Sequence, residues 1–100
     1  MAQLQIVYWR DIPASVQVRA GRRDKAAREL PERFAQAIDM AAMRAGLAGT
    51  DDYLGEWRRS DPVAVGDDLE AEADAARDRL DGEYTKERMV ALVGNKGLEP

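Results

Sequence analysis

Leu4-Gln5-Ile6-Val7-Tyr8-Trp9, followed by Arg10-Asp11-Ile12-Pro13-Ala14-Ser15 and then Val16-Gln17-Val18-Arg19, is the stretch on which the fold turns. The first six residues are rich in β-branched and aromatic side chains. They place apolar groups on both alternating faces, Leu4, Ile6 and Tyr8 on one and Val7 and Trp9 on the other, which is the pattern of a central strand. In Asp11-Ile12-Pro13 the proline lacks an amide hydrogen and disfavours helix at Ile12, so the chain turns there. Val16 and Val18 then alternate with Gln17 and Arg19, as in a strand with one face wet. The two strands are expected to form an antiparallel hairpin.

Ala20-Gly21-Arg22-Arg23-Asp24-Lys25 reads as a polar connector that runs into one helical turn through Ala26, Ala27 and Arg28. Pro31 suits the first turn of a helix, where its missing donor costs nothing. Phe34, Ile38, Ala41, Ala42 and Ala45 then recur at steps of three and four, and Gly46 supplies the stop. Glu56-Trp57-Arg58-Arg59 reads as a third strand beside the first. Asp67 to Leu80 reads as an acidic helix with Asp67 and Glu70 in a reciprocal cap, Leu69, Ala73, Ala76 and Leu80 as its apolar line and Gly82 as its end. A last helix runs from a Thr85 cap to Val93, with Met89, Leu92 and Val93 as its apolar face. The expected fold is α+β: a small antiparallel three-stranded sheet, order 2-1-3, packed against two to three helices. Residues 1–93 are read as one domain and residues 94–100 as a flexible tail.

With 100 residues the chain has the common size of one domain. Its 45% hydrophobic and 34% charged residues are ordinary for a folded protein. It contains neither cysteine nor histidine. Those absences exclude disulfides, thiolate or imidazole metal sites, cysteine nucleophiles and the usual general base. No run of apolar residues is long enough to span a bilayer, and Met1-Ala2-Gln3-Leu4-Gln5 lacks a signal peptide's basic and apolar regions, so the expectation is a cytoplasmic protein away from membranes. Charge is segregated along the chain: six basic and three acidic residues fall in positions 1–31, four basic and twelve acidic in positions 51–83. Opposite fields of this kind can steer a partner.

The basic set Arg10, Arg19, Arg22, Arg23, Lys25 and Arg28 has the guanidinium chemistry to hold phosphate or carboxylate, although solvation is the commoner use of such residues. An acidic protein makes nucleic acid an improbable partner. The carboxylates Asp51, Asp52, Asp67, Asp68, Glu70, Glu72, Asp74 and Asp78 offer oxygen ligands, but helix caps and first-turn charges explain them more simply, and no cofactor or metal is expected. Trp9 and Trp57 each stand beside an arginine, Arg10 and Arg58, the composition of a binding hot spot; core packing is their competing use. Asp11 can bond the turn backbone.

Tyr8-Trp9-Arg10-Asp11-Ile12-Pro13-Ala14, Arg33-Phe34, the run Ala37-Ile38-Asp39-Met40-Ala41-Ala42-Met43-Arg44-Ala45-Gly46-Leu47, Tyr53 and Glu56-Trp57-Arg58-Arg59 together resemble the small bacterial virulence factor domain. The likeness covers roughly the first 60 residues. That domain also resembles the end of conserved virulence factor C, where it accompanies an Nfu-type scaffold domain and HEAT repeats. The resemblance implies an accessory role beside iron–sulfur or corrinoid-dependent one-carbon enzymes, with no catalytic residues to carry over. From Asp61 onward the likeness stops.

The reading that results is a non-enzymatic accessory or protein-interaction module, with Arg10, Asp11, Trp9, Arg19, Trp57 and Arg58 as candidate partner- or anion-binding residues. Its rival is an enzyme or small anionic-ligand binder in which Arg10, Arg19 and Arg58 converge, with Asp39 or Asp11 as acid–base. A third class is a homo-oligomer formed through an edge strand or the last helix.

Overall fold

β1 (Ala2–Trp9) and β2 (Ile12–Ala20) form the antiparallel hairpin in the computed structural model, which describes residues 2–100. Trp9 pairs with Ile12, so the turn is only Arg10-Asp11, and Ile12-Pro13, expected in the turn, begins β2 instead. Proline is tolerated there for two reasons. The register slips between Val7 and Tyr8, a bulge that interrupts the ladder, and the next strand pairs with β2 only as far as Ser15.

That next strand corrects the sequence reading. Asp24–Glu29 is not a helical turn but β3, paired with β2 from Ser15↔Glu29 to Ala20↔Asp24 after a turn in which Gly21 has φ 69°. Its alanines and charges carry little intrinsic strand preference. Tertiary pairing with β2 and burial of Ala26 decide its conformation.

β4 (Trp57–Arg59) and β5 (Val63–Val65) both pair antiparallel with β1, at Val7–Trp9 and Ala2–Leu4 respectively. Ser60 spans the gap: its N–H donates to the Ile6 carbonyl and its Oγ accepts from the Ile6 N–H, both at 2.8 Å. The sheet therefore has five strands, β3-β2-β1-β4 with β5 also on β1, where three were expected. The expected neighbours of β1 are preserved within it, since β2 and the Trp57 strand flank it.

Four helices complete the α+β fold: α1 (Glu32–Arg44), α2 (Asp51–Gly55), α3 (Leu69–Glu83) and α4 (Lys86–Gly94). Thr50 and Thr85 cap α2 and α4 through their hydroxyls. The α3 cap is Asp68, one residue beyond the expected Asp67, with its carboxylate accepting from Ala71 N–H at 3.1 Å. α3 also passes through Gly82 instead of ending there.

The register puts Leu4, Val16, Val18 and Ala26 on one sheet face, where α3 buries them with Ala73, Ala76 and Leu80. Gln3, Gln5, Gln17 and Arg19 share the opposite face, which stays partly or wholly exposed. α1 packs across the Trp9 end, with Phe34, Ala37, Ile38, Ala41 and Ala42 buried.

The charge segregation is matched inside the molecule. Arg28 of β3 pairs with Glu70 and Asp74 of α3, and Arg33 of α1 with Asp81 at 2.8 Å. Of the basic residues in positions 1–31, Arg28 is the one that these contacts join to the acidic segment.

Candidate functional site

The predicted residues Trp9, Arg10, Asp11, Trp57 and Arg58 meet at one end of the sheet, and most of their polar groups are already engaged there. Arg10 has φ 52°, its N–H donates to the Glu56 carbonyl at 3.1 Å, and its guanidinium donates to the Lys96 carbonyl at 2.9 Å and Glu56 Oε1 at 3.1 Å. Arg58 donates to the Arg10 carbonyl at 2.9 Å and to Asp11 at 3.1 Å, with its guanidinium 4.4 Å from the Tyr8 ring centre. Asp11 accepts from the Glu99 N–H at 2.7 Å, and its own N–H donates to the Gly97 carbonyl at 2.8 Å.

This node fastens residues 96–99, the segment read as a tail, against the β1–β2 turn. Gly97 completes the fit. Its φ of 89° suits glycine, and a Cβ there would lie 2.8 Å from the Trp9 ring. Asp11 does have a structural role, but it bonds the C-terminal segment and Arg58 where its own turn was expected.

Trp9 is 0% exposed and donates from Nε1 to the Tyr53 carbonyl at 3.0 Å, so it serves the core and cannot meet a partner directly. Trp57 is 37% exposed and stands edge-on to Tyr53 at 87°. Arg19 lies elsewhere. It pairs with Gln3 while Arg58 pairs with Tyr8, a separation of roughly 17 Å along β1 at strand rise. The three arginines of the rival reading do not converge. Arg19 instead joins Arg22, Arg23 and Lys25 around the β2–β3 turn. Among the described residues no group of three or more acidic side chains is arranged to hold a metal ion.

A second surface was not identified from the sequence. α1 and α4 pack side by side, and between them runs a groove of about 660 Å³ lined by Ala37, Met40, Tyr84, Met89, Val90 and Val93. Met40 is 51% exposed, Val90 63% and the adjoining Met43 69%. Arg33, Arg44 and Lys86 stand on the rim with Asp81, which is paired to Arg33. Burial pushes the Tyr84 hydroxyl up to about 12, so this ring enters the groove as a neutral group. The available sequence signal was the position of Met40 and Met43, outside the apolar line of α1 but on the same helix.

A family model described as Virulence factor matches residues 7–93. The chain belongs to the virulence factor family. The match passes Asp61, where the resemblance was expected to stop, and takes in all of α3 and most of α4. The acidic helix and the groove are thus parts of the virulence factor unit. No curated protein and no solved structure matches the chain significantly. No helix among the described residues is long and apolar enough to cross a membrane.

Proposed function

We propose that this chain is a non-enzymatic accessory module that docks on a partner protein through the α1–α4 groove. The observation that carries the reading is the open strip of Met40, Met43, Val90 and Val93 beside a cationic rim. Methionine is unbranched and polarizable, which suits a surface that adapts to another side-chain set. An exposed apolar strip of this kind marks an interaction site.

The occupant that fits is an amphipathic helix whose apolar face enters the groove and whose acidic flanks meet Arg44 and Lys86. The family likeness points to cofactor-dependent iron–sulfur or corrinoid one-carbon enzymes as the class of partner. Direct support for an enzymatic reading is weaker, because Arg10 and Arg58 are committed to internal contacts and Asp39 has no arginine beside it in its cleft.

A photo-crosslinking side chain placed at position 40 tests the proposal in the cell. It should join one dominant protein at a segment with acidic residues flanking an apolar helix face. The same crosslinker at Leu54, an exposed apolar position on α2, should not. Equal yields and identical products from both positions would overturn the reading.

A further inference from the structure

A cleft on the open side of the sheet has a different chemistry. Val7, Ser15 and Glu29 form one row across β1, β2 and β3 by their register, and they floor a cavity of about 310 Å³. Ile38 and Asp39 of α1 make one wall, and Tyr53 and Trp57 make the other.

The Tyr53 and Trp57 rings lie 6.1 Å apart at 87°, edge to face, and both line the cleft. Tyr53 is backed by Trp9, whose ring is 5.6 Å away and tilted by 31°. The aromatic corner is therefore fixed from behind by a residue with no exposure.

Asp39 and Glu29 are the charged residues lining the cleft, and neither takes part in an ion pair or a side-chain hydrogen bond among the described residues. No lysine or arginine lines it. Arg59, which pairs with Val7 from β4, borders a separate depression with Tyr8 and Asp61. Burial first, and the Asp39 charge second, raise the Tyr53 hydroxyl above its usual range, so the ring is held neutral beside a carboxylate.

Aromatic rings attract a cation through their quadrupoles, and carboxylates without counter-ions attract it through charge. An anion would meet two like charges in the lining, and Arg59, the cation in the next position of the same row, borders a different depression. We propose that this cleft binds an organic ammonium group, with Tyr53 and Trp57 packing on its alkyl or methyl substituents and Asp39 and Glu29 supplying the counter-charge. The group comes from a free small amine or from a lysine side chain of another protein; both present the same head. The site is separate from the α1–α4 groove, and neither reading depends on the other.

Calorimetric titration of the full chain with choline, with its uncharged carbon isostere and with a capped single-lysine peptide tests this. Choline or the peptide should bind saturably and the isostere should not, because only the charge differs. Choline binding alone assigns a free amine as the ligand; tighter binding of the peptide assigns a protein side chain. Asp39→Asn and Trp57→Ala should each weaken binding by about tenfold, the scale of a partly desolvated cation–π or charge contact. Asp39 is exposed, so Asp39→Asn should keep the melting temperature of the unliganded protein and separate lost binding from lost folding. Absence of saturation with both cations, equal binding of the isostere, or unchanged affinity in Asp39→Asn would overturn the assignment.

Discussion

Arg10 occupies the left-handed region, which costs a side chain with a Cβ about 1 kcal/mol or more. Its Nε is buried without a partner, which adds to that cost. The hydrogen bonds to Glu56 and Lys96 offset both terms and tie the turn to β4 and to the C-terminal segment. Arg10→Ala and Arg10→Gly both remove these bonds, but only glycine relieves the backbone. Arg10→Gly is therefore predicted to be about 1 kcal/mol more stable than Arg10→Ala in urea unfolding. An alanine variant at least as stable would show that the turn is unstrained.

The arginine beside a tryptophan was legible as a cluster, because composition marks it. Its commitment to residues 96 and 56 was not, because contacts so distant in sequence leave no periodic trace.

Among the elements, β3 shows why some of the fold escaped sequence reading. Two adjacent alanines and scattered charges satisfy a helix as readily as a strand, and the deciding partner is β2 on one edge and α3 above. Arg28 joins the two layers through Glu70 and Asp74, and these acceptors raise its affinity for the proton. Arg28→Glu should lower the melting temperature more than Arg28→Ala, since it turns attraction into repulsion. The gap between the two should shrink in molar salt, where exposed charges are screened. A gap independent of salt would mean that Arg28 acts through packing alone. The longer helices were the legible part: α1 and α4 carry clear apolar faces and their stops, and α3 differs in its cap, by one residue, and in running through Gly82.

For the whole molecule, charge and apolar surface divide the labour. Arg28 of the otherwise balanced strand β3 meets Glu70 and Asp74 of α3, while α3 as a whole keeps an excess of acidic side chains. The surfaces left over are the groove between α1 and α4 and the aromatic cleft across the sheet. Neither could be assembled from sequence, because each joins residues from elements whose mutual placement is set by the sheet order. The family, by contrast, was legible from the residues of the hairpin and α1, and the match extends it over most of the chain.

Quantitative recovery of bound proteins by three forms of the chain tests the docking claim most directly: the native sequence, Met40→Glu with Val90→Glu in the groove, and Arg19→Glu with Arg22→Glu at the β2–β3 turn. All four positions are exposed, so folding should persist and be checked by melting temperature. The groove variant should lose its partner by about tenfold or more, as for a binding hot spot, while the turn variant retains it. Undiminished recovery by the groove variant, or loss confined to the turn variant, would contradict it.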